Sequence, residues 1–132
     1  YPMLVRADAW ILGTPVYQGN ISGQLKAILD RCRAVVAADP GAFRDKVGAG
    51  IAVGGDRNGG QEPTLRTIAD FYLINQMIPV GGGAFGANLG AAVWSRDMGA
   101  DGVRADEEGI TAIHRVVDRL VAVTLRRKGG VR

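Results

Sequence analysis

The feature that most constrains this chain is a rhythm of short apolar runs, each closed by glycine or proline and followed by a stretch of helical periodicity. Ala9-Trp10-Ile11-Leu12 is a continuous apolar run that ends at Gly13-Thr14-Pro15. Such a run, without solvent-facing alternation, suits a strand covered on both faces, as in a parallel sheet. After the polar loop Tyr17-Gln18-Gly19-Asn20, the residues Leu25, Ile28, Leu29, Cys32 and Val36 recur at helical spacing. Asn20 or Ser22 supplies the N-cap, and Asp39-Pro40-Gly41 ends the unit.

The rhythm then repeats. Val47-Gly48-Ala49-Gly50-Ile51-Ala52-Val53 reads as a second buried strand, rich in small residues, followed by the loop Gly54-Gly55-Asp56-Arg57-Asn58-Gly59-Gly60. Pro63 fits the first turn of the next helix, whose inward stripe is Leu65, Ile68, Ala69, Tyr72 and Leu73. Ile78-Pro79-Val80 opens a third, shorter strand, and residues 81–106 read as glycine-rich and irregular. A last helix starts near Asp106-Glu107-Glu108, whose carboxylates favour the positive end of the helix dipole. Its buried face is expected at Ile110, Ile113, Val117, Leu120 and Val121, and Gly129 stops it.

Strands alternating with helices imply right-handed crossovers and an open parallel α/β sheet with helices on both faces. All 132 residues form one domain on this reading. The first strand is expected to have neighbours on both sides. A further strand–helix segment, about 60–80 residues, is therefore expected ahead of Tyr1.

Hydrophobic residues make up 47% of the chain and charged residues 22%, which favours a packed core over disorder. The net charge of +3 comes largely from Arg126, Arg127, Lys128 and Arg132, a basic end that reads as a solvated helix terminus. No basic stripe interleaved with aromatics appears, which argues against a nucleic-acid partner. No apolar run approaches the roughly 18 residues that span a bilayer, so no membrane partner is expected. Cys32 is the single cysteine; it cannot form an internal disulfide or a cysteine-ligated metal site, and it suits a reducing cytoplasm. No metal ligand is nominated.

In open parallel sheets, ligands bind beyond the C-terminal strand ends, where two loops fall here. The first comprises Thr14, Pro15, Val16, Tyr17, Gln18, Gly19 and Asn20. Proline stiffens it, Gly19 and Asn20 tolerate unusual dihedrals, and Tyr17 offers a flat face for packing near a planar ring. The second contains Gly55, Asp56, Arg57, Asn58, Gly59 and Gly60. Its glycines let backbone approach a ligand, Arg57 suits an anionic ring edge or a nicotinamide phosphate, and Asn58 both donates and accepts.

At these residues the sequence resembles the FMN-reductase branch of the flavodoxin superfamily. It is similar to quinone reductases of the tryptophan-repressor-binding-protein type, and more so to archaeal-type iron–sulfur flavoproteins. The matching text is Ala7-Asp8-Ala9-Trp10-Ile11-Leu12-Gly13-Thr14-Pro15-Val16-Tyr17, then Gly19-Asn20-Ile21-Ser22-Gly23-Gln24-Leu25-Lys26, then Gly54-Gly55-Asp56-Arg57-Asn58-Gly59-Gly60-Gln61-Glu62. The resemblance implies a flavodoxin-like fold lacking its first strand–helix segment, with FMN as cofactor and NAD(P)H as co-substrate. It implies that residues 14–20 line the ribityl chain and ring through backbone amides, and that residues 55–60 approach the far side of the ring. It also implies a homodimer or homotetramer, with Tyr72, Trp94 and residues 81–106 serving subunit contacts, and a quinone or similar small-molecule acceptor. The family's phosphate-binding loop and cluster cysteines have no counterpart in these residues and would lie ahead of Tyr1; Cys32 does not stand in for the cluster cysteines, so these residues do not themselves support an iron–sulfur cluster.

The flavin carries the redox chemistry in this reading, so no catalytic side chain is named. His114, the single histidine, reads as a partly buried structural residue, and Cys32 as core. Gly81-Gly82-Gly83-Ala84-Phe85-Gly86 contains a G-x-G-x-x-G spacing, discounted as a dinucleotide fingerprint because no helix opens at its end. A flavodoxin-like electron carrier or a non-enzymatic assembly module stands as the alternative to an enzyme.

Overall fold

Alternate side chains of the second apolar run are very small, and the fold exploits this. The computed structural model describes residues 1–84 and 86–130. Its elements are α1 (Pro2–Arg6), β1 (Ala9–Tyr17), β2 (Asn20–Ile21), α2 (Gly23–Arg31), α3 (Arg33–Ala38), β3 (Val47–Gly54), α4 (Gln61–Ile74), β4 (Ile78–Pro79), β5 (Ala91–Trp94), α5 (Gly99–Arg104) and α6 (Glu107–Gly129). β3 is the central strand. It pairs in parallel with β1 from Ala9↔Val47 to Pro15↔Val53. Its other edge takes β4 at Val47 and Gly48, then β5 from Ile51 to Gly54, both parallel.

Successive residues of β3 point to opposite faces. Gly48, Gly50, Ala52 and Gly54 face α4, so that face is nearly bare. A Cβ on Gly48 would fall 2.6 Å from the Tyr72 ring, and one on Gly50 would fall 2.9 Å from Leu65. The helix therefore lies close against the strand, and the Tyr72 hydroxyl donates to the Ala49 carbonyl at 2.9 Å. This face is filled by Trp10, Leu25, Leu29, Cys32, Phe43, Ile68, Tyr72 and Met77. On the opposite face, Val47, Ala49, Ala91 and Val93 pack against Ala112, Val116 and Leu120 of α6.

Among the described residues, β1 pairs with β3 along one edge and with β2, through Val16 and Tyr17, on the other, and Ile11 is 41% exposed. Several other expectations are corrected. Residues 81–106 are not simply irregular, because they contain β5 and α5. The third strand is interrupted: the chain leaves the β3 edge after β4, folds back through a bridge between Gly83 and Ala87, and rejoins it as β5. The apolar run Ala91-Ala92-Val93-Trp94 was the available signal, masked by the glycines around it. The G-x-G-x-x-G spacing is part of this excursion, and the next helix begins only at Gly99; Phe85 lies outside the described residues.

The stripe of α6 is also rotated from expectation. Gly109, Ala112, Val116 and Leu120 are buried, whereas Val121 is 48% exposed and Ile110, Ile113 and Val117 are half-buried. Gly109 and Ala112 allow close approach to the sheet in the first turns, Val116 and Leu120 continue the same stripe, and Ile110, Ile113 and Val117 flank it. His114 follows that rotation and is exposed. Ile28 and Leu73, expected in the core, are exposed as well, and buried Tyr72 cannot serve a subunit contact. The basic end of α6 is not merely solvated: Lys128 Nζ donates to Asp8 Oδ2 at 2.6 Å, and Arg127 lies 3.9 Å from the same carboxylate.

Opposite responses are expected from two strand glycines. Gly48→Val overpacks the α4 contact and should lower unfolding free energy by about 1–3 kcal/mol. Gly13→Ala meets nothing within 4 Å and should be neutral or stabilising. Urea denaturation of both variants checks the pair.

Candidate functional site

The first nominated loop is a hairpin. β1 continues through Tyr17, and the chain turns at Gln18 (φ 51°) and Gly19 (φ 77°) before β2 pairs back at Asn20. Two consecutive positive φ values define a tight turn that matches strand twist. Below it, buried Thr14 staples the hairpin: its hydroxyl donates to the Pro15 carbonyl at 2.8 Å and accepts from the Ser22 amide at 3.0 Å. Ser22 is the N-cap of α2, accepting from the Leu25 amide at 3.2 Å. The Asn20 side-chain oxygen accepts from the Ile21 amide at 2.7 Å. Tyr17 is 59% exposed at the crest.

The second nominated loop, residues 54–60, leaves β3 at the same end of the sheet. Its carbonyls are held from several directions. The Ser95 amide donates to Gly54 O at 2.8 Å, the Trp94 indole to Gly55 O at 2.6 Å, and Gln61 Nε2 to Asp56 O at 2.6 Å. Gln61, buried inside the first turn of α4, also reaches Val93 O at 3.3 Å. Gly60 adopts φ 104° as it enters α4, and a Cβ there would stand 2.7 Å from the Cα of Gly19. The two crests thus touch backbone to backbone at the C-terminal ends of adjacent parallel strands.

Arg57 does not point outward as a free cation. Its Nη2 lies 2.5 Å from Oδ1 of Asp106, its Nη1 lies 3.6 Å from Glu108, and its guanidinium sits 5.1 Å from the Trp94 ring centroid. The Arg57 side chain, 37% exposed, thus has internal partners that its reading toward an anionic ring edge or a phosphate did not include. Asp106 is 1% exposed, and its Oδ2 accepts from the Trp94 amide at 2.8 Å. A cleft of about 900 Å³ runs along the outer side of the second crest. Arg57, Asn58, Gly60, Gln61, Glu62 and Pro63 line one wall, and Glu107, Glu108, Thr111, Ala112 and Arg115 line the other.

Of the nominated residues, the structure brings Gly19 and Gly60 into contact and leaves Pro15, Tyr17, Gln18, Asn20, Asp56 and Asn58 exposed at the rim. Val16, Gly55 and Gly59 are half-buried supports, and Thr14 is a buried staple. Gln61, Trp94 and Asp106 were not nominated, yet they set the shape of the second crest. Only the position of Gln61 directly after the glycines hinted at it; nothing in the sequence pairs Arg57 with a residue 49 positions away.

The FMN reading can be tested against this geometry. The rim offers neutral backbone and the flat Tyr17 face, which suit a planar conjugated ring. Thr14 gives its hydroxyl proton to the Pro15 carbonyl, and Thr14 and Ser22 are both buried beneath the hairpin, so neither presents a donor at the rim for a phosphate. The fit is to the ring and ribityl portion. Among the described residues, no group of three or more His, Cys, Asp or Glu is placed to hold a metal ion, and no helix is long and apolar enough to cross a membrane.

Asp106 makes the crest acid-sensitive. Burial pushes its carboxyl up, but the Trp94 amide and the Arg57 guanidinium outweigh that and hold it below the usual carboxylate range. A depressed folded-state value gives stability that is present above the unfolded value, near 3.9, and is lost as pH falls through the folded value. Asp106→Asn should therefore unfold at lower urea than wild type at pH 7, with the gap narrowing below about pH 4. A gap that stays constant from neutral to acid would contradict this.

Comparison with known proteins agrees with the architecture. Residues 1–92 match the model of the NADPH-dependent FMN reductase family. An iron–sulfur flavoprotein of Methanocaldococcus jannaschii is 57% identical over 129 residues, covering 98% of this chain and 65% of the relative. An iron–sulfur flavoprotein of Archaeoglobus fulgidus is 51% identical over 129 residues, covering 98% of this chain and 66% of the relative. The chain thus spans just under two thirds of those relatives' lengths. The solved structure of a flavodoxin, WrbA-like protein from Agrobacterium tumefaciens superposes with TM-score 0.66 at 22% identity, covering 92% of this chain and 71% of that one, a likeness of fold alone. With a flavodoxin-like sheet, two glycine crests at its C-terminal rim and a family match over residues 1–92, this chain belongs to the NADPH-dependent FMN reductase family.

Proposed function

We propose that the rim formed by residues 14–20 and 55–60 holds the ring of FMN, and that the protein is an NAD(P)H-dependent oxidoreductase. The observation that carries this reading is the contact of Gly60 with Gly19, which sets two backbone crests side by side at the C-terminal ends of β1 and β3. The membership of the family supports the cofactor class, and a quinone or similar small molecule is the acceptor we assign.

When bound, FMN supplies hydride and electron transfer. The chain's own part is binding and orientation. Backbone groups of Gln18, Gly19, Asn58, Gly59 and Gly60 would face the ligand, because no side chain stands between them and it. Tyr17 would present its apolar face to the ring and its hydroxyl to water. The cleft beside Asn58 and Gly60 gives a second planar substrate a route to the same rim. In keeping with flavin sites that lie between subunits, we assign a homodimer or homotetramer.

Titration of the full-length protein with FMN, followed by its visible spectrum, tests the cofactor. Uptake near one flavin per chain is expected, and an unchanged free-flavin spectrum at all ratios would defeat the reading. Gly60→Val combines a strained φ with a collision at Gly19 and should weaken FMN at least about tenfold. Steady NAD(P)H-dependent reduction of a quinone would then exclude a pure electron carrier or assembly module.

A further inference from the structure

Among the described residues, Asp106 is the one fully buried charged group. A helix start accounts for a carboxylate at that place, but not for its complete burial. One of its oxygens reaches the Arg57 guanidinium of the second crest, and the other accepts from the Trp94 amide at the end of β5. Trp94 closes the figure: its indole N–H donates to Gly55 O at 2.6 Å, and its ring centroid lies 5.1 Å from the Arg57 guanidinium carbon. Each of the three residues contacts the other two, and together they hold the crest at two points, Gly55 and Arg57.

The crest needs such an external hold. Gly54, Gly55, Gly59 and Gly60 are four of its seven residues, and glycine loses more backbone freedom on ordering than any other residue. A loop ordered before a ligand arrives leaves less entropy to be lost on binding. Flanking contacts reinforce the same point: the Ser95 hydroxyl donates to Gly54 O at 3.1 Å, and the Asp97 side chain stands where a Cβ of Gly55 would be.

We propose that Asp106 is the positioning residue of the ring-binding crest, fixing residues 55–59 through Arg57 and Trp94 without itself touching the ligand. This rests on the FMN reading above. It places a determinant of flavin affinity at the start of α6, which packs over Val93 of β5 rather than within either crest.

The test uses the full-length protein with Asp106→Asn, Arg57→Met, their double variant, and Trp94→Phe. The Asp106→Asn change keeps an oxygen for the Trp94 amide while losing the charge that holds Arg57. FMN affinity is measured by flavin fluorescence well below the melting temperature, and amide exchange at Gly55, Arg57, Asn58 and Gly59 is measured without flavin. The expected result is an affinity loss of about tenfold or more in each single variant, faster exchange confined to the crest, and less than about twofold further loss in the double variant, since both changes cut one link. Trp94→Phe keeps an aromatic ring but releases Gly55, and should speed exchange there even if Asp106→Asn fails to fold. Wild-type-like exchange at the crest, or FMN affinity within about twofold of wild type, would overturn the proposal. If wild type takes up no FMN, the cofactor reading fails separately; exchange at the crest then decides whether Asp106 holds it.

Discussion

One face of β3 carries almost no side chain, and much of the rest follows from that. With glycine at positions 48, 50 and 54 and alanine at 52, the strand allows α4 to settle directly onto its backbone. Tyr72 then reaches across to Ala49, and Gln61 in the first turn comes to rest over Gly54. A helix seated this close brings its own N-terminus down to the level of the neighbouring hairpin, which is why Gly60 meets Gly19 with no side chain between them. A single methyl at either contact would lift the helix and separate the crests. The small residues of the strand and the left-handed glycine at the rim are thus parts of one packing solution.

The same rim shows how charge is handled. Arg57, the cation of the second crest, is turned back onto Asp106 and Trp94, and the polar side chains of Thr14, Ser22 and Gln61 are engaged in holding backbone. What remains facing outward is mostly peptide groups, exposed polar tips and the face of Tyr17. That inventory suits a ligand recognised by shape and by neutral hydrogen bonds, as a conjugated ring is, better than one recognised by charge.

The strand–helix order, the parallel sheet and both rim loops were legible because each rests on local periodicity or on a run of glycines. Other features depended on partners distant in sequence. β5 was hidden because Ala91-Ala92-Val93-Trp94 is short and is embedded among residues that break structure; it becomes a strand only because β3 offers it an edge at Ile51 to Gly54. The inward stripe of α6 was misplaced because hydrophobicity marks large residues, whereas contact with an alanine- and glycine-rich sheet selects Gly109 and Ala112. The hairpin was read as an open loop, although Gln18-Gly19 is compatible with its tight turn. The pairing of Arg57 with Asp106 was not legible, since it crosses 49 residues and no local pattern encodes it.

The two ends of α6 are fastened unequally. At the rim, Asp106 is buried and bonded, and Gly109, Ala112 and Val116 are seated on the sheet. At the opposite pole, the fastening is a partly exposed carboxylate of Asp8 with two cations, while Val121 and Leu125 are 48% and 63% exposed. Exposed ion pairs contribute little, and a helix with few buried contacts frays first. Opening of this 23-residue helix should therefore begin at its Arg126–Gly129 turn and advance toward the rim. Its last turns to let go are the ones that carry Asp106, so the order of melting keeps the Arg57 and Trp94 contacts longest.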